Sequence, residues 1–379
     1  MRIAIVTDQY LPQLGGVPDS IVTVTKGLRK LGHTVRIYAP HLPGSLSDSD
    51  VERLPTVTFQ GGMGALVSPF GLHKRLSEWR PDVVHVHSVG IAAFAGMRAA
   101  RALHIPAVAT CHGSMADYLY HLHLDIWPIP YLVKRAEGWY FNHASLVTAP
   151  AQKPLDGIIE HGARPAHMHV ISNPIDCDLF HALEYRAAIK KKLGIGPRAV
   201  LLFGRIAQEK NLELAIEILA NVSKKCDVQI VVLGDGPYRP QLEEKLRELN
   251  LTDRTHMLGV LRGETLVEAV NACDVMLITS LVEAQPMTIL QAMQCGLPVV
   301  GPRAGGVPEC IEDDVTGYLL EPDDREGFTK SMLKLLGNEN LRKNFGDAAQ
   351  KRVAAYAPER IAQLFVDAYQ RTIAIMKSH

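Results

Sequence analysis

Residues 200–222 read VLLFGRIAQEKNLELAIEILANV. The first four are an uninterrupted apolar run, the pattern of a parallel strand buried on both faces rather than the alternation of a half-exposed one. Gly204 ends the run and a polar loop follows. From Asn211 to Val222 apolar residues recur at helical spacing, behind a side chain suited to a helix cap. The same strand, loop and helix recur along the chain. Continuous apolar runs at 2–7, 34–39, 83–87, 107–111, 146–149 and 169–172 precede this unit, and runs at 229–233, 275–279, 298–301 and 317–320 follow it. Amphipathic segments such as 20–31, closed by Gly32, lie between them. This βαβα order, repeated twice, predicts an α/β fold of two doubly wound, Rossmann-like domains.

Length agrees, since 379 residues and 41.6 kDa fit two domains of about 150–200 residues each. The predicted domains are 1–176 and 177–357, joined at Asn173-Pro174-Ile175-Asp176, with a charged helical stretch at 179–196 opening the second. The segment 358–379 reads as a helix that can return to the first domain. The most loop-like stretch is 43–50, and no repeat or low-complexity tract is evident.

Lys plus Arg number 40 and Asp plus Glu number 40, so no protein-wide basic field exists to hold a polyanion, which argues against a nucleic-acid partner. Histidine is uneven: 13 of the 16 lie within 1–176, so mild acid is expected to make that part cationic. Six scattered cysteines without a C-x-x-C pair read as reduced thiols. Met1-Arg2 leads directly into a strand and no uncharged apolar run reaches about 18 residues, so a cytoplasmic location is expected.

Ligands of doubly wound sheets bind beyond the carboxyl ends of the strands, so the loops there carry the candidates. After the first strand, Gly15-Gly16-Val17-Pro18 precedes Asp19-Ser20. Paired glycines let backbone N–H groups approach a phosphate at a helix start, or simply make a turn. Arg205 and Lys210, five apart in one loop, can reach a single diphosphate and neutralise a departing anion, or can be two solvated charges. Gly234-Asp235-Gly236-Pro237 reads as a tight turn whose role is shape, with ligand contact at Gly234 as the sharper reading. The stretch 279–293 is richest. A strand ends, Glu283 sits in the loop, and Pro286 is placed as the first residue of a helix. The N–H groups beside it, at Met287 and Thr288, would face an anion. Glu283 could accept hydrogen bonds from sugar hydroxyls, and Gln291 would lie about one and a half turns into the helix.

Together these motifs resemble the retaining nucleotide-sugar glycosyltransferases of the GT-B fold, specifically glycosyltransferase family four (group 1). The Gly15-Gly16 loop, Arg205 with Lys210, Gly234 to Pro237, and 283–298 with Gly305-Gly306-Val307-Pro308-Glu309 occur in that family's order and spacing, so the resemblance covers nearly the whole chain. It implies two Rossmann-like domains facing across a cleft, with a nucleotide-sugar donor on the C-terminal domain and an acceptor entering from the N-terminal one. It implies Arg205 and Lys210 on the leaving diphosphate and Glu283 and His112 on the sugar, with UDP-glucose favoured. The resemblance further implies that the leaving phosphate deprotonates the acceptor on the same face, and that neither a metal nor another cofactor is required. The family's mark is Glu-x7-Glu, and here the second position is Gln291, expected to contact ribose without a charge-assisted bond.

Two Asp-x-Asp triplets, Asp48-Ser49-Asp50 and Asp176-Cys177-Asp178, follow no strand facing the donor loops and read as structural. The pairs His85/His87, His121/His123 and His167/His169 lack a third ligand at zinc spacing. A nicotinamide-dependent oxidoreductase would need G-x-G-x-x-G after its first strand, which Gly15-Gly16 does not supply.

Residues 118–141 hold seven of the 23 aromatic residues, close to Lys134-Arg135. That suits a membrane interface, while a core-packed helical hairpin is the plainer reading. The stretches around His112-Gly113-Ser114 and Glu283-Ala284-Gln285 resemble in part the branch that glucosylates diacylglycerol, with Ser114 and Ala116 departing from it. That implies a lipid acceptor met by Asp19, Tyr118 and His121, and peripheral contact with an anionic membrane at its inner face. A soluble sugar or small-metabolite acceptor, and a non-catalytic sugar-nucleotide binding module, are the alternatives.

Overall fold

The computed structural model describes residues 1–13, 15–45, 47–58, 65–67, 71–115 and 126–377. The chain divides into two units, Met1–Pro174 with the segment from Pro358 onward, and Ile175–Ala357.

The first unit is built on a seven-stranded parallel sheet. Its strands are β1 (Arg2–Thr7), β2 (Thr34–Pro40), β3 (Val51–Leu54), β6 (Val83–His87), β7 (Ala107–Thr110), β8 (Leu146–Ala149) and β9 (Met168–Val170), in the order β3-β2-β1-β6-β7-β8-β9. A separate antiparallel pair, β4 (Thr56–Thr58) and β5 (Ala65–Val67), lies between β3 and β6 in the chain. The second unit is a six-stranded parallel sheet of β10 (Ala199–Phe203), β11 (Gln229–Leu233), β12 (Thr255–Gly259), β13 (Val275–Leu277), β14 (Val299–Pro302) and β15 (Gly317–Leu320), ordered β12-β11-β10-β13-β14-β15. In each sheet the strand order reverses once, between β1 and β6 and between β10 and β13. Loops leave those neighbouring strands in opposite directions and open a crevice at their carboxyl ends.

Interior strands are buried along their length, as at β6 and β13. Helices cover both faces, which is why their sequences are continuous apolar runs. The long helix Pro358–Lys377 belongs to the first unit. It packs on helix Gly16–Lys30 and places Ile361, Phe365 and Tyr369 in the cluster that holds Ile3, Ile5 and Ile21. Each such apolar side chain contributes about 1.5–3 kcal/mol when fully buried. The close approach depends on Gly27, where an added Cβ would lie 2.3 Å from the Pro358 carbonyl oxygen. Lys30 and Glu359, 2.5 Å apart, tie the same two helices at the surface.

Several boundaries differ from the sequence reading. The units part between Pro174 and Ile175 rather than after Asp176: Ile175 is buried in the second unit's core and its N–H donates to the Tyr356 carbonyl at 2.9 Å. The stretch 179–196 is helical only over Arg186–Lys192, because Leu179 and Phe180 turn inward to the core. Strands β3 and β12 were not expected. Both lie at sheet edges, where one-sided or partial burial leaves sequences such as Val51-Glu52-Arg53-Leu54 and Thr255-His256-Met257 without an apolar run.

Candidate functional site

The second unit's crevice is formed by the loops after β10 and β13. After β10 the chain passes through Gly204 and Arg205 into a single 3-10 turn, Gln208–Lys210, and then helix Leu212–Ser223. Arg205 is exposed and its guanidinium pairs with Glu209 one turn on, not with a group shared with Lys210. Lys210 instead reaches the neighbouring loop, where its Nζ lies 2.7 Å from Glu283 Oε1 in a half-buried ion pair. Thr279 and Ser280 fix the two loops to each other: Thr279 Oγ1 donates to the Asn211 carbonyl at 2.8 Å and Ser280 Oγ to the Glu209 carbonyl at 3.2 Å.

Glu283 is held from behind by the loop after β14. Gly306 N–H donates to the Glu283 carbonyl at 2.8 Å, and a Cβ at Gly306 would come within 1.9 Å of the Ala284 carbonyl oxygen. Gly234 serves a similar purpose. Its Cβ would meet the Gly204 carbonyl at 1.9 Å, so the turn after β11 lies against the β10 loop only because that side chain is missing. This gives Gly234 a steric reason that needs no ligand.

Helix Met287–Gln294 begins one residue later than expected, with Pro286 as its N-cap. The N–H groups of Met287 and Thr288 have no acceptor among the described residues, whereas Ile289 N–H bonds back to the Pro286 carbonyl at 3.0 Å. They form the positive end of the helix dipole beside the Glu283 loop. Gln291, one turn further on, is buried.

In the first unit, Gly15 is the N-cap of helix Gly16–Lys30, and Asp19 stands in its first turn. Gly15 and Gly16 are exposed and Asp19 half-buried. Asp8, at the end of β1, was not singled out from the sequence. Its carboxylate accepts hydrogen bonds from Ala92 and Ala93 N–H at 2.8 and 3.0 Å, at the start of helix Ile91–Ala102, and burial raises its pKa against those bonds. Only glycine at position 90 leaves room for it, since a Cβ there would sit 2.3 Å from the carboxyl carbon. Tyr118 and His121 lie outside the described residues. Glu137 is buried, accepting from Ser114 Oγ at 2.7 Å and Met115 N–H at 2.5 Å, and so anchors the loop after His112.

Three histidines meet at the ends of β6 and β7. His85 and His87 share one face of β6, and the register pairing His87 with Thr110 brings His112, two residues beyond, to the same face. His85 bonds Tyr369 Oη at 2.7 Å and Thr110 Oγ1 at 2.6 Å, while His87 Nδ1 lies 3.0 Å from His112 Nε2. Burial pulls His85 down to about 3 and His112 to about 4, and lowers His87 as well. These three therefore stay neutral in mild acid and add nothing to the charge expected from the histidine count. No group of three metal-ligating side chains is found among the described residues. Asp176 Oδ1 accepts from Asp178 and Leu179 N–H, and Asp50 pairs with Arg29 at 2.9 Å, so both Asp-x-Asp triplets serve turns and surface pairs.

Comparison with known families decides what these crevices belong to. The pattern described as glycosyl transferases group 1 matches residues 186–352, and that of glycosyltransferase family 4 matches residues 14–179. The chain belongs to the group 1, family four glycosyltransferases. Among relatives of this glycosyltransferase, a GDP-mannose-dependent alpha-mannosyltransferase of Corynebacterium glutamicum is 27% identical over 99% of this chain and 90% of the relative. An alpha-monoglucosyldiacylglycerol synthase of Streptococcus pneumoniae is 28% identical over 90% of this chain and 84% of the relative. The structure of Anabaena HepE with UDP and glucose superposes with a TM-score of 0.78 at 22% identity, covering 98% of this chain and all of the other. That likeness fixes the fold as GT-B. No helix among the described residues of the glycosyltransferase is long and apolar enough to cross a membrane.

Proposed function

We propose that this glycosyltransferase moves a hexosyl group from a nucleoside diphosphate sugar, UDP-glucose in the first instance, to the hydroxyl of a membrane glycerolipid with retention of anomeric configuration. The observation that carries the donor half is the Lys210–Glu283 pair at the β10/β13 reversal, beside the N-terminus of helix Met287–Gln294. An ammonium has three protons, and the bond to Glu283 uses one. The others, with Met287 and Thr288 N–H and the exposed Arg205 guanidinium, suit a diphosphate. Glu283 keeps a second carboxylate oxygen to accept from a sugar hydroxyl, and Gln291 offers ribose a neutral amide. As the bond from the anomeric carbon to the phosphate oxygen breaks, its electron pair leaves with the diphosphate, which Lys210 and Arg205 stabilise. The same phosphate oxygen then takes the acceptor's proton as the new C–O bond forms on that face. Protein cations and a helix end meet the diphosphate charge in this scheme, so transfer is expected to survive chelation by EDTA.

For the acceptor half, the support is the Streptococcus relative and a surface of the first unit. Ile126, Trp127, Tyr131 and Leu132 are exposed beside Lys134 and Arg135. Apolar and aromatic side chains flanked by cations suit a peripheral site on the inner, anionic face of a membrane. The Corynebacterium relative supports a second reading of the donor, GDP-mannose. A thermal-shift panel of UDP-, GDP- and ADP-sugars, followed by product analysis with diacylglycerol vesicles and with soluble sugars, tests both halves. Stabilisation by no nucleotide sugar would defeat the donor reading, and transfer to soluble acceptors alone the lipid reading.

A further inference from the structure

His87 is buried, and its Nε2 has no hydrogen-bond partner among the described residues. Its other nitrogen, Nδ1, faces His112 Nε2 at 3.0 Å, with the two ring planes 21° apart and their centroids 5.3 Å apart, so the rings meet edge to edge. Because both imidazoles are neutral, one nitrogen of this contact must carry the proton and the other must accept it. Two arrangements are available. If His112 donates, the proton of His87 must sit on Nε2, leaving a buried N–H without an acceptor among the described residues. If His87 donates from Nδ1, its Nε2 is a bare ring nitrogen. An orphaned buried N–H is the rarer and costlier of the two.

We propose that His87 is a positioning residue that fixes His112 in the tautomer protonated at Nδ1. His112 then presents a hydrogen-bond donor to an oxygen of the donor sugar, and its ring is locked by the bond at its opposite edge. His85 cannot take over the task, because both of its nitrogens are engaged by Tyr369 and Thr110. The inference rests on the reading that His112 faces the sugar. It deepens that reading by stating which form of the imidazole the enzyme uses, and what sets it.

Nitrogen-15 histidine spectra of the full chain without ligand test the tautomer directly, with His112 assigned by loss of its signals in His112→Gln. The expected result is a protonated Nδ1 and an unprotonated Nε2 at His112. In His87→Leu these signals should move toward the average of the two tautomers, and kcat with UDP-glucose, or with GDP-mannose if that is the donor taken, should fall about 10-fold or more with a smaller change in KM. His87→Asn, whose amide can donate from nearly the Nδ1 position, should restore both. A His112 protonated at Nε2 in the parent enzyme, or a folded His87→Leu with unchanged spectra and turnover, overturns the proposal. Unchanged transfer by His112→Gln instead overturns the reading of His112 itself, whatever the spectra show.

Discussion

Lys210 and Glu283 are 73 residues apart in the chain and 2.7 Å apart in space, joined because β10 and β13 are neighbours at the reversal of the second sheet. The pair binds two loops and arms both for a ligand, so its members should not be independent. Lys210→Ala and Glu283→Gln should each lower turnover by about 100-fold or more, and the double substitution by much less than the product of the two. Arg205→Ala, removing an exposed side chain, should cost less than Lys210→Ala. Steady-state rates across this set decide the matter, and full activity of the Arg205→Ala/Lys210→Ala double variant would remove both from the mechanism.

At Gln291 the family's second carboxylate is missing. Gln291→Glu should restore a charge-assisted acceptor and tighten nucleotide-sugar binding by about 1–2 kcal/mol, roughly 5- to 30-fold in Kd. Titration calorimetry with UDP-glucose and GDP-mannose measures it. Weaker binding would show that position 291 has been adapted to a different contact.

The buried histidines make the first unit sensitive to acid. In the unfolded chain they take up protons near the ordinary value of 6.5, whereas in the folded protein His112 does so only near 4 and His85 near 3. Between those limits the unfolded state binds more protons, so stability is lost as pH falls through about 6.5 and onward toward 4. The loss is on the order of 1 kcal/mol per pH unit for each such histidine. All three tryptophans, Trp79, Trp127 and Trp139, lie in the first unit, so their fluorescence reports its melting alone. The fluorescence midpoint should drop steeply from pH 7 to pH 5; a flat profile would contradict the neutral, buried assignment.

Gly306 tests how strictly Glu283 must be placed. Gly306→Ala puts a methyl group against the Ala284 backbone, and backbone cannot rotate aside. Donor affinity and turnover should fall at least 10-fold while the melting temperature changes by a few degrees. Equal activity would mean that the loop tolerates displacement.

Tyr369 offers a stability test remote from the donor loops. Tyr369→Phe leaves His85 Nδ1 buried without its partner and should destabilise the first unit by about 1–3 kcal/mol, read by denaturant melts followed at tryptophan.

What the sequence made legible follows how each element is buried. Strands 2–7, 83–87, 229–233 and 317–320 keep their expected bounds because burial on both faces writes itself as an apolar run. Edge strands β3 and β12, only partly buried, carry no such run, whereas β15, also at an edge but buried along most of its length, does. In the crevice, Lys210 and Glu283 were recognisable one at a time, but their contact depends on strand order, which is a property of the whole sheet. The partner of Arg205 is different, since Glu209 stands one turn away. His85 and His87 were visible as a pair on one face. That His87 should touch His112 depends on the β6–β7 register, which neither segment shows alone.

The helix Pro358–Lys377 has a bearing on how the protein comes into being. On the ribosome, every strand of the first sheet emerges before any of the second, yet Phe365 and Tyr369, which close the first unit's core and occupy His85, emerge after all of them. The first unit must wait, incompletely sealed, while 183 residues of the second are made. A chain released after Ala357 should therefore present one protease-resistant body and one protease-sensitive one, in the reverse of their order of synthesis.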